Sequence, residues 1–363
     1  MYKKLKIGLD FDDVLAPCIS HAIDIARKKG DGDFVFEDIT EWNLSGTKYE
    51  CFYKYFAEAS FYETQTIYPD AVDFVAKLSE IAEVFIFSAI CPAFMSIRAA
   101  QILNNFGNYI DEDHIMLGKR KDLLSMDILY DDSPSNILST QAAYPVICRK
   151  PWNKGLTGLL AANSYDEFFN IVKELIAPEK PDSNLPVLAL IGPSGSGKTT
   201  IIEELAKDER FVKVVSTTSR SRRPNEPEDA YHFVSKEEFE ASLKAGQLFE
   251  HTMYANNLYG TKFSDFEKPL SMGQIPMIAI DMAGALKLKM HYKAILCFVD
   301  RAKESLVRSI VDRDVSTDDK VRRIVSLDIE RANKALCDAV VDNNKSVSDS
   351  ASQIHTIMQK WLR

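Results

Sequence analysis

LIGPSGSGKTTI, residues Leu190–Ile201, is the stretch whose reading decides how half of the chain folds. An apolar run from Val187 to Ile191 has strand character and leads into Gly192, Pro193, Ser194, Gly195, Ser196, Gly197, Lys198, Thr199 and Thr200. A helix-like segment then continues to Lys207. Strand, glycine-rich turn and helix start, in that order, make a phosphate-binding loop. The glycines let the backbone wrap close to a phosphate chain with its amide N–H groups turned inward, and the helix N-terminus adds partial positive charge. Lys198 supplies a mobile point charge for a transferring phosphoryl group, and the Thr199 hydroxyl is placed to ligate Mg²⁺. A glycine-rich turn arising by chance would not bring both flanks with it. This part of the chain is expected to bind a nucleoside triphosphate.

At 363 residues the chain is longer than one typical domain, and about two or three are expected. The 46% apolar and 27% charged shares are those of ordinary globular proteins. A net charge of −9 excludes a nucleic-acid-coating surface. Cys18, Cys51, Cys91, Cys148, Cys297 and Cys337 stand singly. Without metal or redox spacing they suit a reducing cytosol, so a cytoplasmic location is expected. MYKKLKIGLDFDD at the N-terminus reaches acidic residues after a very short apolar run, unlike a signal peptide. No apolar stretch approaches membrane-spanning length. APEKPDSNLP, Ala177–Pro186, carries three prolines and polar filler and reads as a linker. The expected boundaries are 1–178, a linker over 179–186, and 187–363.

In the first half, the apolar run Leu5–Leu9 ends in Asp10, Phe11, Asp12 and Asp13. Two further strand-like runs, Val84–Phe87 and Ile128–Tyr130, end in Ser88 and in Asp131-Asp132. Strands separated by helical segments predict a parallel α/β sheet, whose strand carboxyl ends converge on one crevice. Asp10, Asp12, Ser88, Asp131 and Asp132 are thus expected to share a site. Carboxylates gathered there repel one another without a cation among them, and Mg²⁺ prefers such hard oxygen ligands.

The DxD at Asp10–Asp12, Ser88, a lysine and the acid pair resemble the haloacid-dehalogenase superfamily of phosphotransferases. SFYETQTIYPDA (Ser60–Ala71), ILYDDSPSN (Ile128–Asn136) and PWN (Pro151–Asn153) look like its 5′(3′)-deoxyribonucleotidases over residues 4–175. The resemblance implies Asp10 as nucleophile and Asp12 as general acid and base. It implies Ser88 and Lys121 (or Lys119) as holders of the phosphoryl oxygens. Mg²⁺ would lie with Asp10, the Asp12 carbonyl, Asp131 and, directly or through water, Asp132. Asp13 departs from the glycine usual after the second acid. The superfamily's helical cap would fill the insertion at about 15–78. Phe52, Tyr55 and Phe56 there read as cap core, while Phe61-Tyr62 is open between core packing and nucleobase stacking. Trp42 has no assignment.

After the phosphate-binding loop come VVSTTSRSRR (Val214–Arg223), Pro224, Glu226, Tyr231, Phe249-Glu250-His251, Asn257–Thr261 and IPMIAIDMAG (Ile275–Gly284). These resemble guanylate kinase over residues 186–363. The resemblance implies ATP as phosphoryl donor and GMP or dGMP as acceptor. Glu250, with Ser216 and Thr261, would read the guanine edge, because one carboxylate accepts from guanine's adjacent N1–H and 2-amino group. Arg220, Arg223, Tyr231 and Tyr259 would grip the monophosphate. Asp312–Arg323 resembles the lid, one residue short, with Arg313 and Arg323, and less directly Arg308, on the γ-phosphoryl group. Ala279 stands where the family has the first acid of a DxD, which leaves Asp281. The Glu226–Tyr231 loop is also one residue short.

Together these features predict two α/β domains: a haloacid-dehalogenase-like parallel sheet with a helical cap, and a P-loop domain with a GMP-binding subdomain and lid. The expected partners are small nucleotides, with neither nucleic acid nor membrane; oligomeric state is not legible. A polynucleotide end-repair enzyme also joins such a phosphatase to a P-loop kinase, but the acidic charge and the Glu250/Thr261 pattern argue against it. A non-catalytic guanylate-kinase-like binding module would tend to lose Lys198 and its neighbours, which are present here.

Overall fold

Ile7 and Leu9 are fully buried, and the strand they belong to organises the first half of the chain. The computed structural model describes residues 4–156, 158–176, 183–222, 226–227, 230–254, 257–312 and 317–362. Arg223, Pro224, Arg313 and residues 177–182 of the expected linker lie outside the described residues. Two compact units, Met1–Ala177 and Pro178–Arg363, divide the chain.

The first unit runs β1 (Lys6–Asp10), α1 (Ile19–Lys29), α2 (Phe52–Tyr55), α3 (Ala59–Thr64), α4 (Ala71–Ile81), β2 (Glu83–Ser88), α5 (Met95–Phe106), β3 (Ile115–Leu117), β4 (Ile128–Asp131), α6 (Pro134–Ser139), β5 (Tyr144–Cys148), β6 (Leu160–Ala162) and α7 (Tyr165–Ile176). Its sheet is parallel in the order β3-β2-β1-β4-β5-β6. Near-continuous apolar runs such as VFIF and ILY suit strands covered on both faces. Strand order reverses at β1 and β4, the place where such sheets open a crevice at their carboxyl ends.

The insertion after β1 divides in two. Helices α1, α2 and α3 share an apolar cluster with Phe34, Ile39, Tyr49 and Trp152. Helix α4 instead lies against β2, because Ala71, Phe74, Val75 and Leu78 form a buried stripe at helical spacing. The separate helical layer is therefore shorter than the 15–78 expected. Phe52 and Tyr55 are buried in it and Phe56 packs against it. Phe61 and Tyr62 also face inward, at 1% and 9% exposure, and the Tyr62 hydroxyl donates to Phe56 O at 2.8 Å. Burial of a phenylalanine of this kind contributes about 1.5–3 kcal/mol. These two rings are filled by their own neighbours, which decides between core packing and stacking in favour of the core.

The second unit begins with β7 (Val187–Ile191), α8 (Lys198–Leu205), β8 (Phe211–Lys213), β9 (Thr217–Thr218), β10 (His232–Phe233), α9 (Lys236–Lys244), β11 (Leu248–Tyr254) and β12 (Asn257–Lys262). It continues through α10 (Ser264–Ser271), β13 (Ile275–Ala279), α11 (Met282–His291), β14 (Ala294–Asp300), α12 (Lys303–Val311), α13 (Thr317–Val325), α14 (Leu327–Ala332), β15 (Ala339–Asp342) and α15 (Val347–Trp361). A parallel sheet, β15-β14-β7-β13-β8, has β7 at its centre, and β10-β9-β12-β11 form a second, smaller sheet. Ile201, Ile202 and Leu205 of α8 and Ile354 and Met358 of α15 pack on Leu188 and Leu190. A capping box between Ser346 and Asp349 opens α15, worth about 1 kcal/mol. Among the described residues, no helix is long and apolar enough to cross a membrane.

Candidate active sites

Adjacent strands bring Asp10, Ser88 and Asp131 together at their carboxyl ends in the first sheet. Asp10, Asp131 and Asp132 are buried with carboxylate oxygens within 4.8 Å of one another. Lys121 Nζ sits among them, 2.7 Å from Asp10 Oδ1 and 2.6 Å from Asp131 Oδ2, whereas Lys119 is exposed. Asp131 also accepts from Ser133 N at 2.9 Å and from Asn136 Nδ2 at 3.0 and 3.1 Å. Asp132 is held from the other side. The Trp152 indole N–H donates to its Oδ2 at 3.1 Å, and Asn153 Nδ2 to its carbonyl at 2.9 Å. The PWN triplet is thus a buttress for this acid.

Asp132 Oδ1 is buried and has no hydrogen-bond partner among the described residues. Burial, then the charge of Asp131, pushes the Asp10 carboxyl up to about 8 against the pull of Lys121. Burial, then Asp10 and Asp131, raises Asp132 well above the carboxylate range. Burial works against the charge of Lys121, but Asp10 and Asp131 outweigh it and its pKa rises. With all three acids ionised, the one ammonium of Lys121 would leave negative charge uncompensated. An orphaned hard oxygen in that cluster fits a small divalent cation such as Mg²⁺.

Asp12 is turned elsewhere. Its Oδ2 accepts from Ser88 Oγ at 3.0 Å, and its Oδ1 from Arg98 Nη2 at 2.8 Å and Gln65 Nε2 at 3.2 Å. Arg98 and Gln65 escaped the sequence reading. The signal lay in α5, where Arg98 shares a buried face with Ile102 and Phe106; a charged side chain in register with core positions asks for a buried partner. Asp13 takes the left-handed backbone its usual glycine would adopt, with φ 56°, which Asp tolerates better than most residues. Its carboxylate accepts from the N–H groups of Cys18 and Ile19, tying down the start of α1. Burial, opposed by Lys150, lifts its pKa to about 7.

In the second unit the loop between β7 and α8 is drawn tight by its own backbone. Gly197 has φ 93°, and a Cβ there would stand 2.4 Å from Asn343 Nδ2. That amide donates to Ser196 O at 2.7 Å, and Arg301 Nη1 donates to Gly195 O at 3.0 Å. Neither residue was singled out from sequence. Lys198 Nζ donates to Gly192 O at 2.6 Å and Pro193 O at 3.0 Å, so the side chain folds back over the loop. Pro193 and Ser196 are buried, and Thr199 and Thr200 are exposed in the first turn of α8. Arg323 reaches the loop from α13, with Nη1 2.8 Å from Ser194 Oγ. Arg308 lies on α12.

The remaining candidates form two groups. Ser216 Oγ is 3.1 Å from Thr261 Oγ1, which is 3.3 Å from Glu250 Oε1. Burial, then the charge of Asp281, raises the Glu250 carboxyl above the usual range. Asp281 caps α11 by accepting from Gly284 N at 2.8 Å. Gly284 leaves room for the acid, since a Cβ there would come 3.0 Å from Glu250 Oε2. In the second group, Arg220 packs over the rings of Tyr231 and Phe233, both at 5.6 Å, and Tyr231 lies 6.0 Å from Tyr259. Both arms of the Arg220 fork hold Glu226, at 2.6 and 3.0 Å. Ala279 is exposed at the end of β13.

Residues 185–361 match the family model described as guanylate kinase, and residues 3–178 match that of 5′ nucleotidase, deoxy (pyrimidine), cytosolic type C protein. A guanylate kinase of Oceanobacillus iheyensis is 34% identical over 175 residues, which are 47% of this chain and 84% of that relative. One of Salinibacter ruber is 38% identical over 177 residues, 45% of this chain and 89% of that protein. The crystal structure of guanylate kinase from Anaplasma phagocytophilum aligns at 27% identity over 49% of this chain and 86% of its own, with a TM-score of 0.39. Through its second unit the chain belongs to the guanylate kinase family, and that unit is fused to an N-terminal domain of the type C 5′-nucleotidase family.

Proposed function

We propose that the chain is a bifunctional nucleotide enzyme: its second unit transfers a phosphoryl group from ATP to GMP or dGMP, and its first hydrolyses nucleoside monophosphates through an aspartyl-phosphate. The observation that carries the kinase reading is the half-buried Glu250 carboxylate, bonded to the buried Thr261 and through it to Ser216. Guanine sets two donors side by side against such a carboxylate, whereas adenine would leave it unpaired. Arg220, Tyr231 and Tyr259 supply donors for the monophosphate dianion, which would compete with Glu226 for the Arg220 fork. Lys198 and Arg323 flank the loop on which the triphosphate would lie, and Thr199 would share its Mg²⁺.

In the first unit, the unpartnered Asp132 oxygen among three acids supports a site for Mg²⁺ held by Asp10, Asp131 and Asp132. When bound, that ion would neutralise phosphoryl oxygens and keep Asp10 ionised. Asp10 attacks phosphorus, and the ester oxygen leaves with a proton from Asp12. Asp12 then takes a proton from the water that hydrolyses the acyl phosphate. Lys121 and Ser88 hold the phosphoryl oxygens, so Ser88 must exchange its bond to Asp12 for one to substrate.

Product assays on the intact chain test this reading. ATP with GMP or dGMP is expected to give the diphosphate far faster than with AMP, CMP or UMP. A Lys198→Ala chain, offered each ribo- and deoxyribonucleoside monophosphate with Mg²⁺, is expected to release phosphate from a subset. Equal turnover of AMP and GMP, or no release from any monophosphate, would contradict the corresponding half.

A further inference from the structure

Among the described residues, Arg98 is one of the largest fully buried side chains, at 0% exposure. Its guanidinium lies 4.1 Å from the centre of the Phe11 ring and 5.2 Å from that of Tyr62, between the acid loop and α3. Nη2 donates to Asp12 Oδ1 at 2.8 Å, and Nη1 donates to Gln65 Oε1 and Gln101 Oε1, both at 2.9 Å. Gln65 closes the triangle by donating Nε2 to the same Asp12 oxygen at 3.2 Å. Gln101 pins the Gln65 backbone carbonyl at 2.6 Å.

A buried guanidinium is costly to keep unless it is paired, and among the described residues its carboxylate partner is Asp12. The Asp12 side chain remains 25% exposed, so Arg98 grips it from the protein side and leaves it open toward solvent. One carboxylate oxygen is bonded by Arg98 and Gln65 and the other by Ser88. That fixes both the rotamer and the plane of the acid, apart from the Asp10, Asp131 and Asp132 cluster. Gln65 and Tyr62 belong to the segment that closes the helical insertion, so the same guanidinium joins that segment to the acid.

We propose that Arg98 is a positioning residue for proton transfer by Asp12, and that Gln65 makes this positioning depend on the seating of the inserted helices. The proposal rests on the reading of Asp12 as the acid that protonates the leaving oxygen. Proton transfer requires the donor within hydrogen-bond reach of that oxygen. Losing Arg98 releases the carboxylate to rotate, and the resulting defect falls on steps that need the proton. It spares attack by Asp10 on an ester whose leaving group departs unprotonated.

The test uses the full chain, with kinase turnover of the same preparation as an internal measure of concentration. Arg98→Met, Arg98→Lys, Gln65→Leu and Asp12→Asn are compared on a nucleoside monophosphate and on p-nitrophenyl phosphate, reading the phosphorylation step by the release of the leaving alcohol in single turnovers. Arg98→Met is expected to slow that step on the nucleotide about 10- to 100-fold, the cost of a misplaced catalytic group, with KM little changed and the aryl ester slowed less than about threefold. Arg98→Lys is expected to recover most of the loss, and Gln65→Leu to show the same substrate split more weakly. Gln65→Leu carries the test if Arg98→Met does not fold. Equal slowing of both esters, or a rise in KM alone, overturns the proposal provided Asp12→Asn shows the split. If Asp12→Asn shows no split, the acid role of Asp12 falls, and the positioning role with it.

Discussion

The two units handle phosphate with opposite materials. In the second, the candidate anion site is a run of nine consecutive residues, Gly192–Thr200, shaped by backbone: left-handed glycines, carbonyls pinned by Asn343 and Arg301, and the start of α8. In the first, the candidate site is assembled from side chains at three strand ends, with Asp10 and Asp131 brought together by Lys121, Asp131 braced by Asn136 and Asp132 by Trp152. Backbone amides cannot lose a charge, so a loop of that kind is ready for any phosphate chain. A cluster of buried carboxylates carries the opposite sign, and it can receive phosphate only with a cation and a lysine among the acids. The first arrangement therefore suits holding a phosphoryl group in transit, and the second suits attacking one.

The sharpest way to break this contrast is to disable each site in turn. Asp10→Asn is expected to lower nucleotidase turnover by at least about 10³-fold, since an amide is a very poor nucleophile, and to leave GMP phosphorylation unchanged. Lys198→Ala is expected to do the converse. Phosphate release and coupled ADP formation, measured on each variant, check both; a variant that lost both activities would contradict the separateness of the sites.

A smaller effect sharpens the account of the guanine pocket. Glu250→Gln sets a donor against guanine's donors and is expected to raise the GMP KM about 10- to 100-fold, the cost of an unmet buried polar group. The pH dependence has a defined sign. Burial and Asp281 raise the Glu250 carboxyl, so it takes up a proton at higher pH than an ordinary glutamate. As pH falls, the carboxylate is lost and the GMP KM rises, starting above the usual glutamate range; Glu250→Gln is expected to flatten that rise. The smallest effect belongs to Ala279, exposed beside the loop at the end of β13. Ala279→Asp restores an acid near the triphosphate and is expected to raise kinase kcat by about two- to fivefold, read in the same coupled assay.

The same contrast explains what the sequence made legible. Strand β7 and the loop after it can be read from neighbouring residues because the geometry is local. Strands β1, β2 and β4 show as apolar runs ending in Asp or Ser, so their convergence follows from a parallel sheet. The partners that hold the side-chain site do not. Arg98 acts on a residue 86 positions away and Trp152 on one 20 positions away, and pairings at such separations leave no local pattern beyond a charge in an apolar register. Asp13 reads from sequence only as a departure from glycine, because its left-handed backbone and its bonds to Cys18 and Ile19 are tertiary facts. Phe61 and Tyr62 were ambiguous because an aromatic pair on a short helix suits a core and a ligand wall equally. The length of α4 as a core helix, by contrast, was open to its apolar spacing.

Covalent attack from Asp10 is the step on which the proposed chemistry of the side-chain site turns. The direct measurement is to mix the full-length Lys198→Ala chain with a ³²P-labelled nucleoside monophosphate and Mg²⁺, quench in acid within the first turnovers, and map the label. The expected result is a protein-bound phosphoryl group, stable in acid and discharged by hydroxylamine, on the peptide that contains Asp10 and absent from Asp10→Asn. Steady phosphate release with no label on that peptide, persisting in Asp10→Asn, would contradict it.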